Sequence, residues 1–305
     1  MNGIDYKHPV SQSFQSKLLH TAMGLFGMKK KTETKMITNG FDNKPAIIPD
    51  SLLRNFYITV SEQNGRKVWS VSPVENKSDL IILYFHGGAY ISNLRKEHWN
   101  LIEKLTTRTG AKIIVPDYPL TPLAGCTELY DFIGELFSGL ISENPSKRIV
   151  LLGDSAGGGL ALGFIQLLRN ENKKQPEQII IFSPWLDLTM SNPLLERLDK
   201  EDNLLSVDGL KNAGQKYAAT LDLKDFHVSP LYGDLNSLCR ISLFTGTRDI
   251  LNADAQKFKQ LMKEQNITFN YFEYPGMFHD WVIIAGLSES IDVIDKVDKL
   301  VNDYK

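Results

Sequence analysis

From about Leu53 onward the chain alternates short runs dense in β-branched and large apolar residues with longer runs of helical periodicity. That alternation predicts a mostly parallel sheet covered by helices on both faces. Arg54–Val60 and Lys67–Val71 flank the turn-rich Gln63-Asn64-Gly65 and predict a hairpin at the sheet edge. Leu80–Phe85, Lys112–Val115, Arg148–Leu152 and Gln178–Phe182 have the apolar density of central strands buried on both sides. Helices are expected near Glu97–Arg108, Leu129–Ser142 and Leu160–Asn170. Two further strands, Ile241–Thr245 and Thr268–Tyr274, bracket an amphipathic Ala253–Glu264, and a last helix runs from about Ser288 to Val301.

The pattern breaks between Pro184 and Pro230, where a polar, helix-forming stretch carries Leu194, Leu198, Leu204, Leu210 and Tyr217. A long insertion after a strand, at the sheet end where α/β proteins bind ligands, reads as a lid or cap. The expected organisation is an N-terminal helical part of the cap over residues 1–50 and an α/β domain over 51–305. The cap insertion is expected at about 190–227.

Composition narrows the classes. With 42% apolar and 23% charged residues the chain reads as an ordinary globular protein. The balance of 34 basic against 36 acidic residues gives no electrostatic reason to expect nucleic acid, a membrane surface or a polyanion as partner. Cys126 and Cys239 match no metal or redox spacing and are expected as buried free thiols. The apolar stretch from Leu18 to Met28 is too short to span a bilayer, and its charge, Lys29-Lys30-Lys31, follows rather than precedes it, unlike a secretory signal. A cytoplasmic protein is the default expectation. An exposed edge strand or the last helix offers a surface for a homodimer.

The chemistry centres on Gly153-Asp154-Ser155-Ala156-Gly157, placed between a β-type run and a helix-type run. Small residues two before and two after a serine let the chain turn tightly and lift the hydroxyl clear of the backbone, which is a nucleophile elbow. Serine is a weak nucleophile unaided, so an elbow predicts a histidine base, an acid to orient it and an oxyanion hole. His86-Gly87-Gly88-Ala89 follows a strand and, with Ala156, offers backbone N–H groups for that hole. Asp249 lies just past one strand end and His279 in the loop after the next, and the order Ser155, Asp249, His279 is the order α/β-hydrolases use.

Other candidates are weaker. Asp254 falls inside a helix, and Asp280 is the neighbour of the base, where a side-on bond to the imidazole is difficult. His86 is expected to brace its loop, and His8, His20, His98 and His227 are expected at the surface. Gly157-Gly158-Gly159 lacks the Lys-Ser or Lys-Thr of a phosphate-binding loop, so nucleotide binding is disfavoured. No metal or cofactor is required.

With these residues in place, the chain resembles the hormone-sensitive-lipase-like family of α/β-hydrolase carboxylesterases. The shared motifs are His86-Gly87-Gly88-Ala89, Gly153–Gly158, Ser183–Leu188, Asp249-Ile250-Leu251 and the Phe278-His279 loop. The resemblance implies an α/β-hydrolase fold with a helical cap, with Ser155 as nucleophile, His279 as base and Asp249 as acid. It implies that Gly88, Ala89 and Ala156 supply oxyanion N–H groups and Gly87 the turn. Asp202–Ser206 and Val228–Gly233 look like the family's connection of cap to core. Where relatives read DYRLAPE, this chain has Pro119 and Leu123, so the ion pair that usually braces that loop is expected to be missing.

The expected function is a serine esterase acting on a small-molecule ester through an acyl-enzyme. Leu25, Phe26, Trp185 and Trp281 are bulky residues that either crowd a capped pocket, which would favour short acyl chains, or take a place in the core. Two other readings stand beside it: a catalytically idle small-molecule receptor on the same fold, and a peptidase or amidase using the same triad.

Overall fold

Leu80–Phe85 contains no charged residue, and all six of its side chains are buried. Such a strand needs cover on both faces. In the computed structural model, which describes residues 3–41, 44–75 and 78–303, it is one of nine strands among those residues. They are β1 (Asp5–Lys7), β2 (Phe56–Gln63), β3 (Arg66–Pro73), β4 (Leu80–Phe85), β5 (Lys112–Pro116), β6 (Arg148–Asp154), β7 (Gln178–Phe182), β8 (Arg240–Gly246) and β9 (Asn270–Tyr274). They form one sheet in the order β1-β9-β8-β7-β6-β4-β5-β3-β2. The hairpin β2–β3 is antiparallel at one edge, and β3 is also antiparallel to β5; all other pairs are parallel. The edge strand β1 has no counterpart in the sequence expectation. Three residues carry too little periodicity to read, and its partner lies far away in β9.

Ten helices accompany the sheet among the described residues: α1 (Phe14–Leu25), α2 (Met28–Thr38), α3 (Asp50–Asn55), α4 (Lys96–Thr109), α5 (Cys126–Glu143), α6 (Ala156–Asn170), α7 (Leu195–Glu201), α8 (Val207–Ala218), α9 (Asn252–Glu264) and α10 (Ser288–Asn302). Alternate residues of each strand face opposite sides. Ile81, Leu83 and Phe85 join one apolar layer with residues of α5, α6 and α9. Leu80, Ile82 and Tyr84 join the other with α4 and α10. None of the helices in the described residues is long and apolar enough to cross a membrane.

The stretch from Pro184 to Pro230 carries α7 and α8, and α8 packs on α2 from the N-terminal segment. Lys216 Nζ donates to the carbonyls of Met36 (3.1 Å) and Ile37 (3.0 Å) and to Asn39 Oδ1 (2.7 Å). A cation there satisfies the unpaired carbonyls and the negative end of the α2 dipole. Gly209 of α8 faces Met36, where a Cβ would meet the thioether at 2.9 Å, so the two helices approach closely.

Parallel pairing of β4 with β6, in a register that sets Phe85 opposite Gly153, brings the His86 loop and the Ser155 turn side by side at the carboxyl end of the sheet. Their contact leaves no room for a side chain: a Cβ on Gly157 would collide with the Phe85 carbonyl. Gly157→Ala is therefore expected to destabilise the fold by about 1–3 kcal/mol through overpacking against backbone. A urea unfolding midpoint unchanged from the parent would refute this close contact.

Candidate active site

Ser155 sits between β6 and α6 with φ 51° and ψ −119°, a backbone conformation rare for any residue with a Cβ. Holding it costs about 1–3 kcal/mol, which the surrounding structure must supply. The Ser155 N–H donates to Phe182 O (2.9 Å), and its carbonyl accepts from Trp185 N (2.9 Å), Gly158 N (3.1 Å) and Gly159 N (3.2 Å). Both flanks are thereby pinned, and the side chain projects into a nearly closed space, 5% exposed.

His279 and Asp249 arrive from the loops after β9 and β8. His279 Nε2 lies 3.0 Å from Ser155 Oγ, and Nδ1 lies 3.0 Å from Asp249 Oδ2. An ionised Asp249 only accepts, so Nδ1 carries a proton, and it is in the neutral ring that Nε2 accepts from the serine hydroxyl. Asp249 is fixed in turn: its Oδ1 takes the Leu251 N–H at 2.8 Å. Asp202, just after α7, takes the adjacent Ile250 N–H at 2.9 Å and the N–H groups of Leu204 and Leu205. Burial, reinforced by the Asp249 charge, pushes the Asp202 carboxyl up to about 6.

The loop after β4 turns through positive φ at Gly88 (123°), Ala89 (54°) and Tyr90 (61°). Among the described residues the N–H groups of Gly88, Ala89 and Ala156 donate to no protein acceptor. Gly87 differs from the expectation that it shares in the oxyanion hole. Its N–H is taken by Asp154 Oδ2 at 2.9 Å, because the residue before Ser155 reaches back to brace this loop.

Asp154 was not singled out from the sequence, yet it holds the two loops together. Fully buried, it accepts from Tyr84 Oη and Gly87 N and lies 3.5 Å from His98 Nε2. Burial opposes its charge, but the neighbouring histidines and the hydrogen bonds outweigh burial and lower its pKa. His98 thereby corrects the expectation of a surface residue. It is fully buried, its Nδ1 accepting the Arg95 N–H (2.9 Å), which leaves the proton on the nitrogen facing Asp154. His20 is buried as well, stacked on Phe278 at 5.7 Å, whereas His8 and His227 pair with Asp292 and Asp225. His86 lies inside, its Nδ1 2.7 Å from Gly87 O and its ring stacked on Tyr118 at 4.2 Å. Burial and the nearby His98 push it down to about 3, so it is neutral.

Asp280, weighed from the sequence only as a rival to Asp249, takes a different place. It does not reach Nδ1 of its neighbour, but its αL backbone (φ 52°) swings Oδ2 to 3.1 Å from Nε2, on the serine side of the ring. Its Oδ1 is buried with no hydrogen-bond partner among the described residues. Burial pushes this carboxyl up to about 6. For His279, burial favours the neutral ring, but the charges of Asp249 and Asp280 outweigh it and hold the pKa well above the ordinary histidine value.

These groups converge on a cavity of about 70 Å³ lined by Gly88, Ala89, Ser155, His279 and Asp280 together with Met36, Phe41, Leu204, Leu205 and Leu210. Of the two readings of the bulky residues, crowding of this cavity is not found, and only the two tryptophans take the core role. Trp185 and Trp281 are packed in the core away from this lining, and Leu25 and Phe26 are 82% and 70% exposed. Helical periodicity alone did not say which face of α1 is covered. The loop carrying Pro119 and Leu123 is not left unbraced: Asp117 accepts from Asn93 Nδ2 (2.8 Å) and Arg66 Nη1 (3.4 Å). Of the thiols, Cys126 is buried and Cys239 half-buried, and neither is in a disulfide.

Residues 82–283 match the protein family described as the alpha/beta hydrolase fold. The chain is 32% identical over 204 residues to an esterase of Acinetobacter venetianus, covering 66% of this chain and 67% of that one. It is 30% identical over 203 residues to an acetyl-hydrolase of Streptomyces hygroscopicus, covering 66% and 67%. A solved esterase of the bacterial hormone-sensitive lipase family superposes with a TM-score of 0.82 at 20% identity, covering 96% of this chain and 99% of that one.

The geometry predicts how the imidazole titrates. Observed by nitrogen NMR, His279 should remain protonated at pH values where an ordinary histidine with a pKa of about 6.5 is already neutral. Asp280→Asn should lower its pKa, since one of the two carboxylates that favour the charged ring is gone. An unchanged midpoint in that variant would mean that Asp280 does not act on the ring.

Proposed function

Because the chain belongs to the α/β-hydrolase fold family, we propose that it is a serine carboxylesterase that hydrolyses small esters through an acyl-enzyme on Ser155. The observation that carries this reading is the unbroken line Ser155 Oγ, His279 Nε2, His279 Nδ1, Asp249 Oδ2, with both steps at 3.0 Å. The Acinetobacter and Streptomyces relatives support the carboxylic ester as substrate class.

His279 Nε2 takes the hydroxyl proton as Ser155 Oγ attacks the ester carbonyl carbon. The carbonyl oxygen becomes an oxyanion and is received by the uncommitted N–H groups of Gly88, Ala89 and Ala156. One such donor is worth about 2.7–4 kcal/mol in the transition state. The imidazolium formed at the same moment faces the Asp249 carboxylate on one edge and the Asp280 carboxyl on the other. The proton on Nε2 then passes to the departing alcohol oxygen, leaving the acyl group on Ser155. A water that gives its proton to Nε2 attacks the acyl carbon, and return of that proton to Oγ frees the acid. The small cavity and its apolar wall favour short acyl groups such as acetyl. In this reading residues 1–50 and about 190–227 form a cap, with α2 and α8 roofing the acyl site through Met36 and Leu210.

Turnover of p-nitrophenyl acetate by Ser155→Ala is expected to fall by about 10⁵- to 10⁶-fold in kcat, and by Asp249→Asn about 10⁴-fold. Both variants should keep the parent circular dichroism spectrum. Retained hydrolysis by folded Ser155→Ala would sink the assignment. A series of p-nitrophenyl esters of rising acyl length tests the cavity: kcat/KM should peak at the shortest chains.

A further inference from the structure

Helix α1 is anchored by one face only. Ser16 and His20 are buried, Leu19 and Met23 pack on the core, and Ser13 and Ser16 hydrogen-bond to Glu289 of α10 at 2.6–3.1 Å. On the outer face, Phe14, Leu18 and Leu25 are 80%, 60% and 82% exposed. At 100° per residue these three fall within about 40° of one another, a continuous apolar stripe turned to solvent. Phe26 (70% exposed) continues it around the corner at Gly27. Monomeric proteins rarely leave so many large apolar side chains together without a partner surface.

The same two helices hold a local excess of positive charge. Residues 14–38 contain five lysines and one glutamate in a chain whose formal net charge is −2. Lys29 pairs with Asp199 and Lys30 with Glu33. Lys17, Lys31 and Lys35 have no carboxylate partner among the described residues. A cleft of about 770 Å³ opens beside this corner, with Met28, Lys31, the 92% exposed Ile47 and Arg95 in its wall. It shares Thr32, Phe41, Ser92, Arg95 and Leu204 with the cavity over Ser155.

We propose that the outer face of α1 and the α1–α2 corner form a docking surface for an anionic lipid bilayer, which seats the mouth of the Ser155 cavity against the membrane. Protruding Phe and Leu side chains flanked by lysines fit insertion among acyl chains and headgroups at an interface. A second copy of this chain fits less well, because a two-fold contact would set each lysine-rich face against its own like charges. Twelve residues give α1 a length of about 18 Å, which lies on a bilayer and does not cross it.

The proposal is independent of the catalytic reading and is tested by binding. The full chain should float with phosphatidylcholine vesicles containing phosphatidylglycerol. It should bind pure phosphatidylcholine vesicles at least about tenfold more weakly, and raised salt should weaken binding. A Leu25→Ser, Phe26→Ser double variant and a Lys31→Glu variant should each lose roughly tenfold or more of that binding. The double variant should hydrolyse a water-soluble ester like the parent, so loss of docking is separable from loss of the site. Three results would overturn the proposal: no flotation with the anionic vesicles, equal binding by the double variant, or a concentration-dependent dimer in gel filtration that the double variant abolishes while vesicles bind neither protein.

Discussion

The close contact between the turn at Ser155 and the loop after β4 governs the rest of this site. Gly157 lies against the carbonyl of Phe85, and a Cβ on Gly87 would meet the Asp154 carboxylate and, at 3.0 Å, the Ser155 Cβ. Two loops so near one another place the serine hydroxyl and the free amides of Gly88 and Ala89 around one small volume. The strained backbone of Ser155 is tolerable because its own N–H and carbonyl are tied to Phe182, Trp185 and the first turn of α6. Asp154 completes the joint, accepting from Tyr84 on β4 and from Gly87 in the neighbouring loop.

Charge is distributed around the imidazole in a way that separates two tasks. Asp249 on the Nδ1 side fixes the ring and its tautomer, while Asp280 on the Nε2 side shares that nitrogen with Ser155. Two acceptors cannot face one another without a proton between them, so Asp280 favours the protonated ring or is itself protonated. Either way it ties the protonation of that nitrogen to pH. Asp202 links the same machinery to the segment between β7 and β8 by holding the Ile250 amide beside Asp249.

Much of this was legible in the sequence because it is local. The central strands announce themselves by unbroken apolar runs, and a serine between glycines at a strand-to-helix junction marks a tight turn. The order of acid and histidine at successive strand ends follows from a parallel sheet, whose carboxyl ends share one edge. What escaped depends on contacts distant in the chain. Nothing near His98 says that it lies beside Asp154, and nothing near Asp154 says that it takes the Gly87 amide. The reach of Asp280 depends on an αL residue, which its sequence does not mark. The apolar run from Leu18 to Met28 and the lysines after it are plain in the sequence, but the exposure of Leu25 and Phe26 is not, because the covered face of the helix is set by distant Glu289 and the core.

The central claim is that Ser155 is an activated nucleophile whose product oxyanion is held by the two joined loops. Labelling with a fluorophosphonate, followed by peptide mass spectrometry, tests it most directly, because the reagent leaves a stable tetrahedral phosphorus on the attacking oxygen. The account predicts a single adduct, on Ser155, formed at a rate that collapses when His279 is replaced by alanine. An enzyme that hydrolyses esters while Ser155 remains unlabelled, or that labels equally fast without His279, would contradict it.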